Sequence, residues 1–234
     1  MTAATRAPVP DQPHRISDRH PEWGVLLAAT AAWAFLAMRP DAPAHHHHGP
    51  AHGAGPDVPG LAAMVVAMML PLTITSLRQA ALSGPRSRRR WSLLAFLAGY
   101  LGVWIPAMLL IDIGWKRLLV GGTAATVATM LIAALWELAP PKQRRVHGCG
   151  TGWPAGAGHP FSGVAAGGRC VLSCWALMAV CVAFAHDLRV MAALFFVQLV
   201  ARQRPASPPV LAALAVLVVC LASLALRTVG PHAT

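Results

Sequence analysis

The hydrophobic residues of this chain fall into long uninterrupted runs that are separated by short, arginine-rich segments. Four runs contain no Asp, Glu, Lys or Arg, at 60–77, 91–111, 118–136 and 208–226. Each approaches or exceeds the ~18 residues with which a helix crosses a ~30 Å hydrocarbon core. Two shorter runs, 23–38 and 170–185, are flanked by Trp or Arg side chains that can lie at the membrane interface. A run of twelve residues at 190–201 is the weakest candidate span.

The runs predict an all-α fold, a polytopic transmembrane helical bundle of about six or seven spans. In lipid each backbone polar group must be paired within its own segment or within a closed barrel. The runs lack the alternation of apolar and polar residues that barrel strands need, so helices are expected. The composition agrees, since 56% of the residues are hydrophobic and only 12% are charged.

The formal net charge of +11 is explained by membrane topology and does not indicate nucleic-acid binding. With the N-terminus inside, seven spans place fourteen of the nineteen Lys and Arg residues on the cytoplasmic side. This asymmetry follows the positive-inside rule and favours contact with anionic lipid headgroups. We therefore expect a multi-pass protein of the bacterial inner membrane with a cytoplasmic N-terminus and the lipid bilayer as its partner.

The runs also predict how the chain is organised. Residues 1–22 are polar and Pro-rich and are expected to form a disordered cytoplasmic tail, whereas 23–228 form a single transmembrane domain and 229–234 a short tail. A His-rich loop at 40–59 is expected outside, and basic loops at 78–90 and 140–169 are expected in the cytoplasm. The small residues Ala42-Pro43-Ala44 leave signal-peptide cleavage as an alternative, although Pro43 disfavours it.

Sulfur recurs on one face of the predicted helix at 170–185. Cys170, Cys174, Met178 and Cys181 fall within about 80° of arc at ~100° per residue. Thiolates and thioethers are soft ligands that suit Cu(I), and thiolates also suit zinc. The alternative is that Cys and Met only pack one helix against another.

A second sulfur face precedes Pro71, where Met64 and Met68 lie one turn apart. Pro71 has no N–H to donate to the carbonyl of Ala67, so a kink is expected there.

Imidazole and thiol groups in the loops are further candidate ligands for copper or zinc. They are His45, His46, His47, His48 and His52 in the external loop, and His147 and Cys149 in a cytoplasmic loop. A low-complexity loop with incidental metal affinity is the alternative for the His tract. Glu137 is expected to form a solvated ion pair with Lys142 or Arg144.

The chain resembles the family of predicted metal-binding integral membrane proteins of unknown function labelled DUF 2182. The resemblance rests on residues 62–71, on Gly99-Tyr100 with Trp104, on 136–142 with Cys149, and on 170–178 continuing to Met191. It implies a membrane fold and metal binding. The chain departs from the family pattern at Arg145, which takes the place of a cysteine, at Leu172 and Ser173, and at Ala201-Arg202, which replaces Glu-Lys.

These patterns together favour a membrane protein that binds or handles a soft transition metal, Cu(I) above all. Cys170, Cys174 and Met178 would face Met64 and Met68, and a copper-delivering or copper-receiving protein would be the partner. No enzyme motif is visible, so storage, delivery or passage is expected rather than catalysis. Two alternatives remain: a scaffold or partner subunit without chemistry of its own, and a thiol oxidoreductase that uses Cys149 with Cys170.

Overall fold

The computed structural model describes residues 22–39, 57–82, 89–118, 123–140, 142, 161–203 and 209–229. Within these ranges all regular structure is helical, which confirms the all-α prediction. The eight helices are α1 (Glu22–Met38), α2 (Val58–Met69), α3 (Ile74–Leu82), α4 (Arg89–Leu118), α5 (Thr123–Leu138), α6 (Phe161–Ala183), α7 (Leu188–Gln203) and α8 (Pro209–Val229). A short 3₁₀ turn (Pro71–Thr73) joins α2 to α3.

The predicted span at 60–77 is broken where the sequence indicated a kink. Asp57 caps the start of α2 by accepting a hydrogen bond from the Gly60 N–H at 3.2 Å. The helix ends before Pro71, and the segments on either side are bent by 42°. The carbonyl of Ala67, which the proline cannot pair, instead accepts a hydrogen bond from the Trp33 indole of α1 at 3.1 Å. The break is therefore held by a neighbouring helix.

Helices α4 and α6 form the most extensive helix pair of the described residues. Glycines allow their backbones to approach closely. A Cβ added to Gly163 would overlap the carbonyl oxygen of Phe96, and one added to Gly167 would lie 3.1 Å from that of Tyr100. Helix α6 begins at Phe161, earlier than the apolar run at 170–185 predicted, because the small residues before Cys170 pack against α4 rather than forming a loop.

The helices run alternately between two ends of the bundle. The end of α1 meets the start of α2 in the ion pair of Arg39 and Asp57. At the opposite end, Arg202 near the end of α7 donates a hydrogen bond to the carbonyl of Leu72. We call the first of these the Asp57 end and the second the Arg202 end.

Two helices of the described residues are long and apolar enough to cross a membrane, namely Arg89–Arg117 and Phe161–Ala183. The bent pair of α2 and Pro71–Ala80 makes a third if it counts as one span. The segments Trp23–Met38, Thr123–Leu138 and Pro209–Ser223 are shorter apolar helices. A helical membrane bundle is thus supported, while the number of six or seven spans stays a prediction.

Substituting Gly163 by Ala should destabilise the bundle by about 1–3 kcal/mol, because the new methyl group forces α4 and α6 apart. Gly168→Ala on the same helix is the matched control, since nothing lies within 4 Å of its added Cβ. That control should be neutral or stabilising by up to about 1 kcal/mol through helix propensity. Thermal unfolding in detergent measures both, and equal stability of the two variants would contradict the close-packing interpretation.

Candidate metal centre

Helix α6 places two thiols together in the interior of the bundle. Cys170 and Cys174 lie one helical turn apart on the same face of α6 and are 2% and 1% exposed. Both are free thiols, as are Cys181 and Cys220. Two buried thiols one turn apart on one helix face are an arrangement that a soft metal ion can bridge.

The sulfur of Cys170 is surrounded by hydrogen-bond donors from two other helices. The hydroxyl group of Tyr100 on α4 donates to it at 3.1 Å, and the guanidinium group of Arg202 on α7 lies 3.8 Å away. The same guanidinium donates to the carbonyl of Leu72 at 2.8 Å, which fixes its position. Donors and a positive charge beside a sulfur stabilise the thiolate form that a metal requires.

Cys174 stands at the end of a buried polar chain. Its thiol lies 3.9 Å from the amide oxygen of Gln198, whose amide nitrogen donates to Glu137 at 3.2 Å. Glu137 in turn pairs with Lys142, and both side chains are only 3% exposed. The pairing with Lys142 is as predicted, but the expected solvated pair is wrong, because the network encloses both charges.

A cleft of about 20 Å³ reaches Cys170 at the Arg202 end of the bundle, a volume sufficient for one water molecule or one small ion. It is lined by Leu72, Thr73, Ser76, Ala166, Arg169, Cys170 and Arg202. The cleft gives an otherwise buried thiol a route to the surroundings of the bundle.

Met68 contacts a different sulfur from the one expected. Met64, Met68 and Met178 are buried in the same core cluster as Cys170 and Cys174. The sulfur of Met68, however, lies 3.9 Å from that of Cys181, which belongs to the predicted sulfur face but not to the predicted ligand set. The sulfur face of α2 therefore does meet the sulfur face of α6, but at Cys181, two turns beyond Cys174.

Several predicted ligands lie outside the described residues: His45, His46, His47, His48, His52, His147 and Cys149. Within the part of the chain that the structure describes, no group of three or more His, Cys, Asp or Glu side chains is arranged to hold a metal ion. The ligand set stays a prediction. Its described members are the two thiols Cys170 and Cys174 with the thioethers Met178, Met64 and Met68.

Sequence reasoning missed three residues that contact the thiol pair, Tyr100, Gln198 and Arg202. Gln198 carried a signal, because it is the one polar side chain in the apolar run 190–201 and polar groups within spans are costly unless they have a partner. Tyr100 is the only tyrosine of the chain, and it appeared only as part of the family resemblance.

The opposite, Asp57 end of the bundle collects charged groups around a strained turn. Ala185 and His186 follow α6 with φ angles of 53° and 61°, in the left-handed region that non-glycine residues avoid. The His186 N–H donates to the Cys181 carbonyl at 2.9 Å and so closes the helix end. Burial lowers the pKa of His186, an effect opposed by the nearby carboxylates of Asp112 and Asp57.

Comparison with known proteins identifies the family. A family model described as PpoB2, copper chaperone, matches residues 61–225, more than half of the chain. The chain belongs to this family. The match covers α2 from Leu61 onward, α3 to α7 and most of α8, including both sulfur faces, while α1 and the His-rich segment precede it. It agrees with the metal-binding character that the resemblance implied, but it does not confirm the DUF 2182 label. Searches of curated proteins and of solved structures found no significant match.

Replacing Glu137 by Gln should cost about 3–5 kcal/mol of stability, because Lys142 is left as a buried charge without its partner. The double variant Glu137→Gln/Lys142→Met should recover much of this loss. Asp57→Asn is the matched control, because Asp57 and its partner Arg39 are 50% and 37% exposed, such a pair contributes less than about 1 kcal/mol, and Asn also caps a helix. Denaturant unfolding in detergent measures all three variants; similar losses for Glu137→Gln and Asp57→Asn would show that the Glu137 pair is not enclosed.

The stability of the chain should decrease as the pH falls from about 7.5 to 5.5. Burial holds the pKa of His186 below its ordinary value of ~6.5, so the unfolded chain takes up the proton first and acid favours unfolding. Lys116 and Arg39 act in the same direction, whereas Asp112 and Asp57 oppose it. His186→Asn, which tolerates the left-handed backbone, should flatten the dependence of the unfolding temperature on pH. His14→Asn in the predicted tail is the control; an unchanged slope in His186→Asn would contradict the assignment.

Proposed function

We propose that the protein is a membrane-embedded copper-handling protein that binds Cu(I) through Cys170 and Cys174. The observation that carries the proposal is the pair of buried thiols one turn apart on α6, with Cys170 lining the cleft, within the segment that matches the copper chaperone family. Met178, one turn beyond Cys174 on the same helix and fully buried, is the next soft donor.

The donor set favours Cu(I) over zinc. Structural zinc sites use four ligands in a tetrahedron, commonly Cys and His. Around the thiol pair, the described residues add no third Cys, His or carboxylate at ligand distance. Cu(I) is soft and is suited to thiolate and thioether sulfur.

Charge balance also supports Cu(I) at this position. Two thiolates and one Cu(I) carry a net charge of −1, which would be costly to bury alone. The positive charge of Arg202, 3.8 Å from the sulfur of Cys170, offsets it. Tyr100 adds a neutral donor to Cys170. Arg202 and Tyr100 therefore act as positioning and charge-balancing residues rather than as ligands.

A Cu(I) site with two thiolate ligands and one side open to the cleft is suited to transfer of the ion to another protein. The cleft allows a copper-delivering or copper-receiving protein to reach Cys170 by ligand exchange from the Arg202 end. His147 and Cys149 would assist at this mouth. Handling, in the sense of delivery or passage, fits this arrangement better than catalysis, because the described residues that line the cleft include no His, Asp or Glu to serve as an acid–base group.

The orientation in the bacterial inner membrane is part of the proposal. The Arg202 end also carries Arg78, Arg89 and Arg169, and the positive-inside rule places such an end in the cytoplasm. Seven segments then alternate across the bilayer from a cytoplasmic N-terminus, with α2 and α3 together counting as one segment. The shorter helices can cross by local thinning of the bilayer and by anchoring of flanking residues at the interface. His45, His46, His47, His48 and His52 would collect ions outside.

Cu(I) titration of the purified chain against a competing Cu(I) chelator tests the proposal, because the chelator removes copper that the His-rich loop holds weakly. The double variant Cys170→Ser/Cys174→Ser should lose affinity at least ~100-fold, more than is typical when an outer partner of a ligand is removed. Leu172→Ser, on the exposed face of the same helix, is the matched control and should bind as the unsubstituted chain does. Equal affinity of the double variant and the control would refute the assignment.

A further inference from the structure

A second group of sulfur atoms lies deeper in the bundle and is not used by the site at the cleft. The thiol of Cys181 on α6 contacts the thioether of Met68 on α2 at 3.9 Å. Cys220 on α8 is fully buried in the same core cluster as Cys181 and Met68. Three helices thus contribute one soft donor each, and all three side chains are at most 1% exposed.

This group is separate from the thiol pair. Cys181 follows Cys174 by two helical turns, which corresponds to about 10 Å along the axis at 1.5 Å per residue. Met178 lies between them on the same face and is fully buried. Each turn of α6 from Cys170 to Cys181 therefore carries a sulfur-containing side chain on the same face, from the cleft toward the Asp57 end.

We propose that Cys181, Met68 and Cys220 form a second Cu(I) site, which receives the ion from the Cys170 and Cys174 pair by way of Met178. The proposal rests on the proposed function, since both need Cu(I) as the cargo. It adds a direction of movement within the bundle, between the cleft and the Asp57 end.

The surroundings of the second site determine its charge state. All three side chains are enclosed in the hydrophobic core, whereas the guanidinium group of Arg202 lies 3.8 Å from the sulfur of Cys170. A neutral complex is therefore the form that an apolar interior tolerates. One thiolate with one Cu(I) is neutral, so Cys181 binds as the thiolate, while Met68 and Cys220 bind as neutral donors. The S–H bond of Cys181 breaks, an S–Cu bond forms, and the proton is released to water; no oxidation state changes.

The difference in charge between the two sites also suits movement of the ion. The first site holds copper as an anionic complex beside a cation, and the second holds it as a neutral complex in an apolar environment. Neither has the four-ligand shell of a closed structural site. Each step from one sulfur to the next can then form a new Cu–S bond before the old one is lost.

Copper content of the purified full-length chain, loaded with excess Cu(I) under anaerobic conditions and washed with a competing chelator, tests the second site. Relative to the unsubstituted chain, Cys170→Ser/Cys174→Ser should lose one equivalent of copper per chain. Met68→Leu/Cys181→Ser should lose one different equivalent, so that combining both pairs of substitutions removes two. Cys220→Ser should weaken the binding of the copper that Cys170→Ser/Cys174→Ser retains.

Met68→Leu conserves volume and is expected to fold, and Met69→Leu is its matched control in the same buried turn. Full copper content and unchanged affinity in Met68→Leu/Cys181→Ser and in Cys220→Ser would overturn the second site while leaving the first intact. Absence of tightly held copper from the unsubstituted chain would instead overturn the proposed function itself. If Met69→Leu loses as much copper as Met68→Leu/Cys181→Ser, the loss is an effect of packing and not of ligand removal. That result would also overturn the second site.

Discussion

The close approach of α4 and α6 is the contact on which the rest of the site depends. Gly163 lies against the backbone of Phe96, and Gly167 lies one turn further against that of Tyr100. Because both helices run in the same direction, this contact fixes their register as well as their separation. The hydroxyl group of Tyr100 then reaches Cys170 at 3.1 Å. A larger residue at Gly163 would move Tyr100 away from the sulfur, so small residues distant from the thiols determine what surrounds them.

A group of enclosed polar and charged side chains lies at the end at which the thiol pair opens. Glu137, Lys142 and Arg202 are enclosed or partly enclosed there, and each has a hydrogen-bonding partner. Burial of charge is unfavourable unless every group is paired, and the hydrogen bonds through Gln198 and to the Leu72 carbonyl supply those pairs. The result is a network of polar side chains around the thiol pair. It connects α5, α6 and α7 by hydrogen bonds in addition to apolar packing.

Much of the helical architecture could be predicted from the apolar runs, because a span needs a minimum length of uncharged residues. The break at Pro71 was also predictable, since proline removes a specific hydrogen bond. The early start of α6 was not, because the Gly- and Ala-rich segment before Cys170 has low hydropathy, and its packing against α4 is a tertiary contact. Local composition contains no information on such a contact.

The candidate metal centre likewise has features that the sequence predicts and features that it does not. The proximity of Cys170 and Cys174 is a property of one helix and follows from its period of 3.6 residues. The partner of Met68 depends on how far α2 slides along α6, and no periodicity within either helix determines that distance. Cys181 and Gln198 stood out in the sequence, but their contacts with Met68 and Cys174, like that of Arg202 with Cys170, depend on the relative heights of the helices.

The hydrogen bond from the Trp33 indole to the Ala67 carbonyl has a consequence for biogenesis. A backbone carbonyl without a donor is strongly disfavoured in lipid, so the bent form of α2 needs its neighbour already alongside. In the proposed membrane arrangement, helix α1 precedes α2 in the chain and leaves the ribosome first, so the indole is available when the proline-containing segment enters the bilayer. A chain shortened to the family-matched segment would insert α2 without that donor, and the segment would be expected to stall or to straighten during integration.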